Sequence, residues 1–330
     1  MPGMRPQRVA RRGNLLQLRG HHRVEWKVAR ATKPSAMATP PTSDETCLLC
    51  GGSGPLIEGH VTPSFAVRWI KDTGATGLLR SVERPLLPMQ DTATARMLCA
   101  QCEQRFSVWE STFARQIFHP WQEGCSRFEY EAWLLRFVVS LAWRTLVTTS
   151  RRIPTAAPQH QAAVEEARRQ WATLLLDPNE RDGRPYRHNI FFGKELKAAT
   201  VPIPKIQFYL GRAVDATIVV RKDYVAAYTK LPGLIFWSHI VPPDPGGWHG
   251  TKVGLRGTLR ARGQEIRDSQ IGQFLVNRVS MIAKLPTSEA RQAKLLEKLS
   301  KDPDRTFASD SYRAHQAEMR LKYGKNWPKS

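Results

Sequence analysis

Four cysteines in this chain stand as two matched pairs, Cys47-Leu48-Leu49-Cys50 and Cys99-Ala100-Gln101-Cys102. Between them lies Glu58-Gly59-His60-Val61-Thr62-Pro63. A C-x-x-C spacing brings two thiolates onto one metal ion, and two such pairs supply the four tetrahedral ligands of a structural zinc. Cys47, Cys50, Cys99 and Cys102 are therefore the expected Zn²⁺ ligands. With four thiolates bound the coordination sphere is closed, so this ion is expected to organise the fold and not to catalyse. The fifth cysteine, Cys125, reads as a small, at least partly buried thiol without chemistry.

These residues need particular elements to position them. Gly51-Gly52-Ser53-Gly54 after the first pair lets the backbone turn tightly around a metal, a zinc knuckle. Leu56 to Val61 reads as a short strand, Thr62 as a cap and Pro63 as the first position of a short helix that uses Phe65, Trp69 and Ile70 on one face and ends near Gly74. The interval 72–96 has no strong period and reads as a loop, with a hairpin around Gly77. From Ala100 the apolar residues Phe106, Trp109, Phe113 and Ile117 recur at helical spacing until Pro120. A knuckle carrying one pair and a helix start carrying the other is the treble-clef arrangement.

The pattern Cys47-x-x-Cys50, then His60-x-x-Pro63, then Leu98-Cys99-x-x-Cys102 resembles the zinc-bound form of the HNH endonucleases, over about residues 47–118 only. The resemblance implies that His60 is the general base that activates water for phosphodiester attack. It also implies a second, catalytic Mg²⁺ or Mn²⁺. Three positions depart from the family pattern: Gly59 stands where an acidic ligand precedes the histidine, no asparagine lies between His60 and Cys99, and Glu103 replaces the final histidine. Glu58 is one position too early, and a one-residue shift on a strand turns a side chain to the other face. Glu103 is the carboxylate expected to stand in as catalytic metal ligand, with Glu110, two turns on, as a second candidate.

The rest of the chain reads as follows. Residues 1–45 form a basic, then Pro-, Thr- and Ser-rich extension expected to be disordered, with Met37 as the more natural start. Residues 46–122 form the zinc module. Residues 123–182 form a helical segment: Ser126 and Glu129 have the spacing of a capping box before the stripe Tyr130, Trp133, Leu134, Phe137, Val138 and Leu141, and a second helix runs over 159–176. Residues 183–330 change character. Asn189 to Phe192, Ile206 to Leu210, Ala216 to Val220, Tyr224 to Tyr228 and Leu234 to Val241 predict an antiparallel sheet, extended by 252–255 and 258–260. Helices over 269–285, 289–299 and 312–323, the last capped by Gly324, close the chain. The fold class is α+β: a zinc-stabilised treble-clef module, a helical segment, and an antiparallel β-sheet region with C-terminal helices.

Composition bounds the function. The chain has 330 residues, 41% hydrophobic residues and ten tryptophans, enough for a sizeable core. Its 50 Lys and Arg against 29 Asp and Glu give a net charge of +21. Nine of those cations and one acid fall in residues 1–36, which account for +8, so +13 remains in the body. Such a balance implies DNA or RNA as partner, and Arg151-Arg152, Arg168-Arg169, Arg221-Lys222, Arg256 to Arg267 and Lys322 to Lys329 are the candidate contacts. Five cysteines, four at metal spacing, fit a reducing cytoplasm better than a secreted disulfide scaffold. No apolar run is long enough to span a membrane. The leading reading is a nucleic-acid-binding zinc protein with metal-dependent endonuclease activity; the alternative is a catalytically inactive zinc module that binds nucleic acid or a protein partner.

Overall fold

The computed structural model describes residues 45–77, 94–149, 158–180, 185–194, 203–284 and 289–324, and the backbone of 15–16, 79–80 and 88–89. The extension of residues 1–45, with its proposed start at Met37, lies outside these residues except for β1 (Leu15–Leu16), which runs parallel to Glu265–Ile266, and for Glu45.

The four-cysteine module begins with β2 (Leu56–His60), followed by α1 (Ser64–Asp72), the small hairpin β3 (Leu79–Arg80) and β4 (Pro88–Met89), then β5 (Thr94–Cys99) and α2 (Ala100–Phe113). β2 and β5 pair antiparallel, with Leu56 opposite Cys99 and His60 opposite Thr94. The loop expected over 72–96 is thus partly a strand: β5 was hidden because its sequence, Thr-Ala-Arg-Met-Leu-Cys, lacks alternation and gains its pairing from β2. Pro63, not Thr62, is the N-cap of α1, and it makes no side-chain capping bond. Arg212 reaches the other end of that helix, donating to the Ile70 carbonyl at 2.6 Å. Its buried guanidinium, pulled down to about 10 by loss of solvent, also lies over the Trp69 ring.

Pro120 does not stop the second helix. A π-helical turn (Ala114–Phe118) widens the spiral before α3 (His119–Gln122), where Pro120 takes a first-turn position that needs no N–H donor. Nor do Ser126 and Glu129 cap a helix. Arg127 to Tyr130 alternate exposed and buried and form β6 (Arg127–Tyr130), and the helix α4 (Ala132–Thr149) starts after it. Period-two burial therefore outweighs the capping-box spacing. Cys125 is exposed, not buried as expected. α5 (Gln161–Leu176) matches the second helix of this segment.

The sheet is four antiparallel strands, β7 (His188–Phe192), β8 (Asp215–Arg221), β9 (Tyr224–Leu231) and β10 (Leu234–Val241), in the order β7-β10-β9-β8. Ile206 to Leu210 was expected as a strand but belongs to the helix α6 (Ile206–Arg212). The reason lies far along the chain: the Glu318 carboxylate accepts from the backbone N–H groups of Lys205 and Gln207, at 2.7 and 3.0 Å, and caps this helix from outside. At the β9–β10 turn, Gly233 has φ +72°, and a Cβ there would stand 3.1 Å from the Trp121 indole nitrogen, so both conformation and space demand glycine.

Both faces of the sheet are covered, which is why its strands read as continuous apolar runs. Val225, Ala227 and Phe236 face α2, α4 and α5, while Ala226, Tyr228 and Trp237 face α6 and α7 (Ser269–Ala283). The remaining elements are β11 (Trp248–His249), β12 (Gly257–Arg260), β13 (Glu265–Ile266), α8 (Glu289–Ser300), α9 (Pro303–Ala308) and α10 (Asp310–Tyr323), with Gly324 at φ +78° after it. β12 pairs with β6 and not with the main sheet, and Lys252 makes only a single bridge to Asn189. α9 had no counterpart in the sequence reading. The module is continuous with the sheet: Phe113 of α2 stacks on Phe137 of α4 at 4.1 Å, and both meet Phe236 edge-on.

Candidate functional site

The knuckle is built by its backbone. The Cys47 N–H donates to the Gly52 carbonyl and the Gly51 N–H to the Cys47 carbonyl, both at 2.9 Å, with Gly51 at φ +74°. The Leu48 N–H bonds the Met97 carbonyl of β5, which docks the knuckle beside the start of α2. As a result the four sulfurs of Cys47, Cys50, Cys99 and Cys102 lie within 4.8 Å of one another, and the Cys50–Cys99 separation is 3.9 Å. Zinc–sulfur bonds of about 2.3 Å in a tetrahedron require sulfurs about 3.8 Å apart, so the cluster fits one such ion.

The electrostatics agree. Burial raises the Cys47 thiol, but the backbone N–H groups of Cys50, Cys99 and Leu49 outweigh it and bring it down to about 7. Burial and the neighbouring sulfurs push Cys102 strongly up. Four thiolates at this distance cannot all ionise without a compensating cation, which is the role a divalent ion would fill.

His60 closes β2, and its carbonyl accepts a 2.9 Å hydrogen bond from the Arg144 guanidinium. Glu103 lies on the first turn of α2. Its carboxylate sits against the backbone of Gly59: a Cβ on residue 59 would stand 2.8 Å from Oε2 and 3.1 Å from Oε1. Burial raises the Glu103 carboxyl and the Glu110 carboxylate adds to that, while the charges of Arg144 and His60 oppose it. Glu110, one heptad further along the same helix face, forms an ion pair with Arg144 at 2.6 Å. Glu58 faces outward and accepts from the Thr94 hydroxyl.

The fold thus gathers His60, Glu103, Glu110 and Arg144, of which Arg144 was not picked out as functional from the sequence. Its side chain is 1% exposed, in the buried middle of α4, with its guanidinium 5.2 Å from the Phe106 ring centre. The signal that could have found it is the lone charge in the run from Phe137 to Leu146, since a buried cation needs partners.

Beside this cluster a cleft of about 700 Å³ opens between α1 and the α2–π-turn–α3 segment, lined by Ser64, Arg68, Ser107, Glu110, Arg115 and His119 among others. Of the basic pairs singled out as candidate contacts, Arg168 and Arg169 are ion-paired to Glu165 and Glu166 on α5, and Arg221 bonds Gln270. Arg151-Arg152 and 325–329 are outside the described residues. No helix among the described residues is long and apolar enough to cross a membrane. No family model, no curated protein and no solved structure matches this chain.

Proposed function

We propose that this chain is a nucleic-acid-binding zinc protein whose module hydrolyses phosphodiester bonds with a divalent metal ion. The observation that carries the reading is the packing of Glu103 on Gly59. The carboxylate missing from the strand position before His60 is supplied from the helix, into the space that the side chain of residue 59 would occupy. In this reading the Cys47, Cys50, Cys99 and Cys102 zinc holds strand and helix together, and His60 takes the proton of the attacking water. Glu103 would hold Mg²⁺ or Mn²⁺, which needs only one or two carboxylates beside substrate phosphate and water and would stabilise charge at the leaving oxygen. Arg144 fixes the strand end through the His60 carbonyl.

A second reading, a non-catalytic module that binds nucleic acid or protein, is favoured by one observation. The Arg144 cation already neutralises Glu110 and lies in the field of Glu103, doing electrostatically what a metal ion would do. Plasmid DNA and RNA incubated with the purified protein and Mg²⁺ or Mn²⁺ separate the two. Cleavage that falls by about 10²-fold or more in His60→Ala supports the catalytic reading. No cleavage, or cleavage unaffected by that substitution, rejects it.

A further inference from the structure

Between Asp244 and Glu265 the chain has no acidic residue, and the same interval holds Lys252, Arg256, Arg260 and Arg262. The fold turns that composition into a row. β12 pairs antiparallel with β6, placing Arg260 opposite Arg127 and Thr258 opposite Glu129. Leu259 and Ala261 are buried, whereas Arg256, Thr258, Arg260 and Arg262 are exposed. Alternate residues of a strand share a face, so Thr258 and Arg260 lie on the exposed face of β12, with exposed Arg256 just before the strand and exposed Arg262 just after it.

Among the described residues, Lys252, Arg256, Arg260 and Arg262 form no ion pair, and the acids of the ribbon are outnumbered. Glu129 is held by Arg127 and the Thr258 hydroxyl, Glu265 by Arg267, and Glu131 follows the end of β6. Arg127, 64% exposed, directly faces Arg260 across the ribbon. Facing like charges are unfavourable in isolation, and a shared polyanion removes the penalty. Guanidinium groups match phosphate bidentately.

We infer that the β6–β12 ribbon is a phosphate-backbone contact surface, holding a nucleic-acid strand through Arg256, Arg260, Arg262 and Arg127 without reading its bases. An anionic membrane fits less well, because the exposed residues from Gly250 to Gly263 are glycine, lysine, arginine and threonine, with no apolar side chain to insert. The inference rests on the nucleic-acid part of the proposed function and is independent of cleavage.

The test is a salt titration of binding by the full chain, without added Mg²⁺ or Mn²⁺, using a short duplex DNA, a single-stranded RNA and vesicles of anionic phospholipid. The variant Arg256→Gln/Arg260→Gln/Arg262→Gln is compared with the charge-matched Lys294→Gln/Lys298→Gln/Lys301→Gln, after circular dichroism and zinc content show both folded. For duplex DNA, the slope of log K against log salt should fall in magnitude by about 2 to 3 in the arginine variant and by less than about 1 in the lysine variant. Equal falls in both would overturn the inference. So would vesicle binding that is tighter than nucleic-acid binding and is lost in the arginine variant. Wild-type protein that binds neither nucleic acid at low salt would overturn the inference and the nucleic-acid reading together. Binding through the row without cleavage in the presence of Mg²⁺ would support the inference while removing only the catalytic assignment.

Discussion

Gly59 and Glu103 illustrate how two apparent defects at the residue scale explain each other. Taken singly, a glycine before His60 and a glutamate after Cys102 each break the HNH-like pattern, yet the carboxylate of one stands where the side chain of the other would be. Gly59→Asp should therefore destabilise the protein by about 1–3 kcal/mol, through overpacking and through like charge against Glu103. Glu103→Ala in the same chain should relieve most of that loss, giving a coupling of at least about 1 kcal/mol in a double-mutant cycle measured by urea unfolding. Additive effects would refute the shared-space account. The sequence showed both substitutions but not their contact, because the two residues are 44 positions apart and meet only through the pairing of β2 with β5.

At the scale of elements, the sheet carries a pH dependence of its own. His188 and His239 are buried between covering layers, and loss of solvent drops both imidazoles from 6.5 to about 3. Each is neutral in the folded chain and protonated in the unfolded chain below pH 6.5. The stability they allow is therefore complete above that pH and is lost as pH falls toward 3, at about 1.4 kcal/mol per unit and per histidine. Between pH 7.5 and 5.5 the native chain should lose about 1.4 kcal/mol more than His188→Gln, in chemical unfolding at each pH. Zinc-ligand protonation acts on both proteins alike and cancels in the comparison. An identical pH slope in the two would show that His188 titrates normally. The strands themselves were readable as β-branched and aromatic runs. Ile206 to Leu210 was not, since its four apolar or aromatic residues suit a strand equally well and Glu318 of α10 supplies the cap that selects a helix.

Across the whole molecule, the four-cysteine cluster and the sheet share one apolar core that runs from Cys47 and Phe65 through Phe137 and Trp143 to Phe236 and Leu259. Removing zinc should consequently lower hydrogen-exchange protection in α4 and in β9 and β10 as well as in α2. Loss confined to residues 45–118 would show instead that the module unfolds by itself. The same continuity explains Arg144, which belongs to the helix under the sheet and reaches into the module to hold His60 and Glu110.

The sequence alone determined which four cysteines could hold a metal ion, because C-x-x-C spacing is a local geometric requirement that survives any arrangement of the remainder, and it determined the main strands and most helices through residue type and period. It also determined the acid-free basic interval from Lys252 to Arg262. Tertiary structure decided what depends on partners distant in the chain: β6 as a strand in place of a helix cap, α6 as a helix in place of a strand, Arg144 as a member of the site, and the pairing of β12 with β6 that sets Arg260 opposite Arg127. In each case local preference was nearly balanced, and a pairing or a cap supplied by another element tipped it.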